Sequence, residues 1–217
     1  MAGNEWLPWI ALETIHLGAE AEVISGTWIG RKAILKRRIP RGYRHPALER
    51  SLSRQRIFAE ARILARLSEN KVKSPILFGI DPEEGWIMMS KIDGQSLAKV
   101  LQKGADYQVE YKLGQAIRKV HSTGISHGDV TTLNAIWSDD DVILIDYGLG
   151  RLVAEMEHFG LDLHSLHECL SAHHVDRPES MEKVLQGYLD NSNSENFDAR
   201  AVVDRFEAIR GRVRYHA

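Results

Sequence analysis

The sequence predicts an α+β chain in two lobes, and three observations carry that expectation. Strand-like segments crowd roughly the first ninety residues, one long helical segment interrupts them, and after Gly94 the pattern turns mainly helical. Glu22–Trp28 and Lys32–Arg38 are joined across Gly30, while Ile76–Ile80 and Trp86–Lys91 flank the turn Asp81-Pro-Glu-Glu-Gly85, so each pair reads as a hairpin. Between the hairpins, Pro46–Glu69 sets Leu48, Leu52, Ile57, Ala61, Leu64 and Leu67 near helical spacing, a stripe expected to pack on the sheet. Further helices are expected at Ser96–Lys103, at Tyr107–Thr123 with Gly124 as its C-cap, and near Leu161–Ala172, Pro178–Leu189 and Phe197–Arg210. One strand pair, Asn134–Trp137 and Val142–Asp146, interrupts them, and the polar run Asn191 to Asn196 reads as a loop.

At 217 residues and 43% hydrophobic content the chain can bury one substantial core or two small lobes, and a single domain over 1–217 accounts for it. With 28 Lys+Arg against 30 Asp+Glu, net charge by itself points to neither nucleic acid nor membrane. Distribution says more: no carboxylate lies between Glu22 and Glu49, whereas Arg31, Lys32, Lys36, Arg37, Arg38, Arg41 and Arg44 are basic. Cys169 is the only cysteine, so no intrachain disulfide can form. The N-terminal segment lacks a basic n-region followed by an apolar h-region, and no stretch nears the roughly 18 apolar residues of a membrane span. A soluble intracellular protein, cytoplasmic with the nucleus left open and no membrane partner, is the expectation.

The strongest chemical signal is His127-Gly128-Asp129-Val-Thr-Thr-Leu-Asn134, followed by an apolar strand ending in Asp146-Tyr147-Gly148. Phosphoryl transfer requires a carboxylate to orient the nucleophile and take its proton, and oxygen ligands to hold Mg²⁺ against the nucleotide phosphates. Asp129 fits the first role; Asn134 and Asp146 fit the second. Each residue alone is an ordinary turn or strand-end residue, but their order and spacing together point to chemistry. Lys36 follows the apolar run Ala33-Ile34-Leu35, where a lysine pairing with the α and β phosphates would sit. Glu60 neighbours the apolar positions of the long helix, and a carboxylate there is costly unless a cation such as Lys36 meets it.

These motifs and the order of elements give the outline of a two-lobed protein-kinase-like fold: N-lobe about 1–90, hinge about 88–95, compact helical C-lobe about 95–217 and a basic tail at 210–217. Gly18, Ala19, Glu20 and Ala21 precede the first hairpin as a phosphate-covering loop would, with one glycine giving less freedom for close backbone approach. Backbone groups near Met89 and Ile92 in the hinge are placed to pair with an adenine edge. His164, His167, His173 and His174 beside Cys169 invite a metal reading, but the spacing lacks a second standard ligand pair, and a solvated or capping role is favoured.

The run from Ile34 through Lys36 to Tyr43-Arg44-His45-Pro46, the segment Glu60-Ala61-Arg62-Ile63-Leu64, the loop HGDVTTLN and the segment LIDYGL together resemble the KEOPS-associated small kinases, the PRPK family. The likeness runs from about Leu17 to the end of the chain and includes Gly18–Ala21, Leu161-Asp162-Leu163 and the basic tail. It implies an ATP-hydrolysing, Mg²⁺-dependent atypical Ser/Thr kinase. Such a subunit works with a threonylcarbamoyl-transferase subunit and other KEOPS subunits to modify the tRNA adenosine next to the anticodon. Carried over, Lys36 and Glu60 form the N-lobe ion pair, Asp129 is the catalytic carboxylate, Asn134 and Asp146 bind Mg²⁺, and Gly18–Ala21 cover the phosphates. Arg210, Arg212 and Arg214 would meet tRNA phosphate or the partner subunit.

Three departures stand out. Leu133 occupies a position where the family often has Ser, Tyr147 replaces the usual Phe of DFG, and Gly128 stands where protein kinases generally place the Arg of HRD, a feature the family shares. The competing reading is a small-molecule phosphotransferase of the aminoglycoside or choline kinase type, which also uses HGD with Asn five residues after Asp. The C-lobe leaves little sequence for an acceptor pocket of that kind.

Overall fold

The computed structural model describes residues 8–18, 21–39, 45–190 and 198–214. They divide into one unit of Met1–Ala61 with Pro75–Lys91 and a second of Arg62–Ser74 with Ile92–Ala217. The chain passes from the first unit to the second after Lys91, and Arg62–Ser74, from the later turns of the long helix onward, groups with the second unit.

The first unit is a five-stranded antiparallel sheet ordered β1-β2-β3-β5-β4, with β1 Trp9–Leu17, β2 Ala21–Trp28, β3 Arg31–Arg38, β4 Leu77–Asp81 and β5 Trp86–Ser90. Both expected hairpins are present. The β2–β3 connection is a two-residue turn with Ile29 and Gly30 at φ 48° and 72°, the primed geometry that matches strand twist. At the β4–β5 turn Asp81 Oδ1 accepts the N–H groups of Glu83 and Glu84, each at 3.0 Å, the local closure expected of an Asx turn. Strand β1 was not expected. Its pairing with β2 shifts register between Ala11 and Glu13 and again between Thr14 and His16. Ile10 and Leu12 therefore fall on one alternation phase and Ile15 and Leu17 on the other, which erases the period-two signal. Ala33, Leu35 and Met88 form the buried heart of this sheet, with Trp9, Ile24, Trp28, Phe78 and Trp86 packed around them.

Helix α1 spans Pro46–Glu69, the bounds read from the sequence. Ile57, Ala61, Leu64 and Leu67 are buried, but Leu48 is 54% exposed and does not belong to the stripe. It precedes Ile57 by nine residues, which at 3.6 residues per turn puts it about half a turn away, on the opposite face.

The second unit holds the sheet β6-β7-β8, formed by β6 Gln95–Ser96, β7 Ala135–Ser138 and β8 Asp141–Leu144. The two-residue strand β6 is too short to carry a sequence signal. Asp139 and Asp140, at φ 48° and 56°, form the β7–β8 turn. The helices are α2 Leu97–Gln102, α3 Gln108–His121, α4 Met156–His173, α5 Ser180–Leu189 and α6 Ala199–Arg214. Leu113, Ile117, Leu163, Leu166, Tyr188 and Phe206 form its core. Helices α3 and α5 meet backbone to backbone: a Cβ on Gly114 would stand 2.0 Å from the Val184 carbonyl oxygen, and one on Gly187 1.9 Å from that of Tyr111.

Two helix ends differ from expectation. Helix α4 starts five residues earlier than Leu161 because Glu155 and His158 form a reciprocal capping box, a pairing outside the usual Ser/Thr and Glu pattern. Helix α6 runs on to Arg214 through Gly211, so Arg210 and Arg212 are helical rather than part of a tail. Basic residues at a helix C-terminus are favoured by its dipole, offsetting the cost of one glycine. The loop expected at Asn191 to Asn196 lies outside the described residues. No described helix is long and apolar enough to cross a membrane.

Candidate active site

In the first unit the sheet fixes Lys36 on β3, opposite Val23 of β2 and Ile87 of β5. Its Nζ donates to both carboxylate oxygens of Glu60 on α1, at 3.2 and 3.3 Å. Glu60 is 1% exposed, and Arg38 brings a second cation to 3.9 Å. A buried carboxylate is tolerated only with such partners, and the pair ties α1 to β3. Gly18 and Ala21 close the β1–β2 connection, with the Gly18 N–H donating to the Ala21 carbonyl at 3.0 Å. Ala19 and Glu20 lie outside the described residues, as do Arg41 and Arg44 of the basic stretch. Met89 sits inside β5, opposite Ile34 and Leu77, and Ile92 follows the strand.

In the second unit the segment from Ser126 to Asn134 is held by an antiparallel bridge between Ser126 and Arg151 and by one carboxylate. Asp162 of α4 accepts the backbone N–H of His127 at 2.6 Å and that of Gly128 at 2.8 Å. His121 Nε2 lies 3.1 Å from Asp162 Oδ2, and His121 Nδ1 lies 2.9 Å from the Tyr188 hydroxyl. Burial by itself would raise the Asp162 pKa; the hydrogen bond with His121 and the N–H donated by the His127 backbone outweigh it and leave the carboxyl below its ordinary value. His127 Nε2 meets the Ile145 carbonyl at 2.9 Å, and burial lowers the His127 pKa, favouring the neutral ring.

Gly128 takes φ 80°, and a Cβ there would lie 2.2 Å from the Leu149 carbonyl oxygen. The left-handed backbone and the close approach both require glycine. The next residue, Asp129, is joined to Asn134, whose Nδ2 donates to the Asp129 carbonyl at 3.0 Å and to its Oδ2 at 2.8 Å. With that amide nitrogen committed to Asp129, Oδ1 is the Asn134 atom left to serve as a ligand. The Asn134 carbonyl in turn accepts the Ile145 N–H at 2.9 Å. The residue preceding Asp146 is thus tied to Asn134, and to His127 as well. Asp146, exposed and at φ 64°, accepts the Gly148 N–H at 3.2 Å through Oδ1. The uncharged oxygen of Asn134 and the carboxylate of Asp146 suit a hard divalent cation such as Mg²⁺.

The sequence signals had not exposed Asp162, His121 and Tyr188 as the frame of this loop. One hint was present: Asp162 stands between Leu161 and Leu163 in a helix, where a carboxylate needs partners if it is buried. The histidines of α4 have separate surroundings. His167 packs edge-on against Phe206, His174 turns its Nε2 to Thr132 at 3.1 Å, and no group of three His, Cys, Asp or Glu fit to hold a metal occurs among the described residues. Arg210 pairs with Glu207 at 2.6 Å and covers the Phe206 ring, Arg212 is exposed, and the Arg214 side chain lies outside the described residues.

The RIO domain family matches residues 33–154. The KEOPS complex subunit Bud32 of Pyrococcus abyssi is 35% identical over 214 residues, covering 94% of this chain and 96% of that protein. A probable bifunctional tRNA threonylcarbamoyladenosine biosynthesis protein of Methanothermobacter thermautotrophicus is 38% identical over 172 residues, 79% of this chain and 32% of that protein. The chain thus spans about a third of the length of the bifunctional relatives it matches. Among solved structures, a Rio2 kinase complex with ADP, Mg²⁺ and phosphoaspartate from Chaetomium thermophilum superposes with a TM-score of 0.59 at 15% identity. The alignment covers 94% of this chain and 71% of that one, a likeness of fold.

Proposed function

The chain belongs to the RIO domain family, and from that premise we propose that it is the ATP-hydrolysing, Mg²⁺-dependent atypical Ser/Thr kinase subunit of a KEOPS-type assembly. That assembly would support threonylcarbamoyladenosine formation in tRNA next to the anticodon. The observation that carries the reading is the 2.8 Å hydrogen bond that locks Asn134 to the Asp129 carboxylate inside the HGD loop. Near-complete coverage of an archaeal Bud32 subunit supports the biological setting.

Each residue has a defined task in this reading. Asp129, steered by Asn134 Nδ2, orients the attacking water or hydroxyl and takes its proton. Asn134 Oδ1 and the Asp146 carboxylate would hold Mg²⁺, which when bound neutralises charge on the β and γ phosphates. Lys36, oriented by Glu60, would pair with the α and β phosphates, and Gly18–Ala21 would cover them; Met89 and Ile92 would border the adenine. Arg210, Arg212 and Arg214 would meet tRNA or the threonylcarbamoyl-transferase partner, and the protein would work in the cytoplasm, with a nuclear share open. The test is ATP turnover by the purified chain, alone and with that partner and tRNA. Turnover that falls about 100-fold or more in Asp129→Asn supports the assignment; undiminished turnover in the folded variant removes it.

A further inference from the structure

Two buried histidines flank the loop that carries Asp129 and Asn134, and the mechanism above uses neither as a reacting group. His127 is set at the start of the loop by Asp162. His174 reaches its middle: the residue is 2% exposed, and its Nε2 lies 3.1 Å from Thr132 Oγ1. Cys169, five residues earlier and within α4, places Sγ 3.6 Å from the same hydroxyl. The carbonyl of Thr132 accepts the Ala98 N–H at 2.9 Å. Thr132 is therefore fastened from both its side chain and its backbone, between the two residues that matter most to the chemistry.

His174 is itself firmly set. It caps the C-terminus of α4, with its N–H donating to Leu170 at 2.9 Å, and its carbonyl accepts the Arg177 N–H at 3.0 Å. Arg177 then forks onto Glu110 of α3 at 2.7 and 3.1 Å, where Ser180 Oγ also donates at 2.8 Å. A planar bidentate pair of this kind fixes position as well as charge. Burial lowers the His174 pKa; Asp176 and Glu110 push it back up, while His173 and Arg177 push it down, and the neutral ring prevails. Neighbouring Leu133 is 68% exposed and contributes little burial to hold this part of the loop.

We infer that His174 is a positioning residue that acts through Thr132 to set the spacing of Asp129 and Asn134. The inference rests on the reading of that loop as the catalytic one. Without the imidazole, the buried Thr132 hydroxyl keeps only a weak thiol partner, and the Thr132–Leu133 turn is held mainly through its backbone bond to Ala98. A displacement of about 1 Å at reacting groups can cost on the order of 100-fold in rate.

The experiment measures steady-state ATP turnover and circular dichroism for Thr132→Val, Thr132→Ser, His174→Ala, His174→Gln and the double variant Thr132→Val/His174→Ala. Positioning predicts a kcat loss of about tenfold in Thr132→Val and in His174→Ala with KM for ATP within about twofold. Thr132→Ser and His174→Gln should recover most of the rate, and the double variant should be no slower than the slower single. Full kcat in folded Thr132→Val, or losses that multiply in the double variant, overturns the inference. If His174→Ala fails to fold, the Thr132 pair decides the matter. Asp129→Asn run alongside separates the two levels: if that variant keeps full turnover, the loop is not catalytic and the inference falls with it.

Discussion

Asp162 of α4 accepts the backbone N–H of His127 at 2.6 Å, thirty-five residues away in sequence. The same carboxylate takes the Gly128 N–H and faces His121, so one buried side chain shapes the entrance to the HGD loop.

Replacing Asp162 with Ala leaves the buried His127 N–H and the part-buried Gly128 N–H without their acceptor and should cost about 2 kcal/mol of stability. Its pH dependence has a definite sign. The folded pKa of Asp162 is lowered, so its ionisation contributes stability that is present above the unfolded value of about 3.9 and lost as pH falls through the folded value. His127 is also lowered in the fold; its contribution is present above the unfolded value of about 6.5 and is lost as pH drops below it. Urea midpoints for wild type and Asp162→Asn between pH 7 and pH 3 should converge as the pH falls, and a constant gap would contradict the assignment.

Lys36→Ala should destabilise the first unit by about 3 kcal/mol, because Glu60 loses its closest cation and keeps Arg38 at 3.9 Å. Lys36→Met/Glu60→Leu should regain much of that stability while remaining inactive toward ATP. Thermal unfolding and ATP turnover measured side by side separate the structural use of the pair from the proposed role of Lys36 at the phosphates.

Tyr147 is 1% exposed, its ring packs against His127 at 4.7 Å, and its hydroxyl has no hydrogen-bond partner among the described residues. An unpaired buried hydroxyl carries a desolvation penalty. Tyr147→Phe is therefore expected to be neutral or to stabilise by about 1 kcal/mol, read from denaturant midpoints. A clear loss of stability would mean that the hydroxyl does have a partner.

Ile29 sits at φ 48° in the β2–β3 turn and is 68% exposed. A β-branched residue is strained in that region, and Asn before Gly is the preferred pair for this turn. Ile29→Asn should raise stability by about 1 kcal/mol, and an unchanged or lower melting temperature would show that the turn does not carry that strain.

The bounds of α1 and the two N-terminal hairpins were legible because the signals are local: a proline at the first helical position, recurring apolar residues, and turns marked by Gly30 and Asp81. Lys36 and Glu60 could be paired because each is anomalous alone, a base beside an apolar run and an acid beside an apolar stripe. Strand β1 was hidden by its two register shifts. Leu48 was misjudged because near-helical spacing tolerates a residue on the wrong face when the window is long. Asp162 and His174 were out of reach for another reason. Their partners lie 35 and 42 residues away, and only the packing of α4 brings them to the loop; in the sequence His174 looks like a solvated or capping residue.

Gly128 carries the widest implication. Its φ of 80° and the 2.2 Å clearance to the Leu149 carbonyl leave no room for any side chain, let alone an arginine. A phosphate brought close to this loop would therefore meet bare backbone at position 128 and no guanidinium to read it.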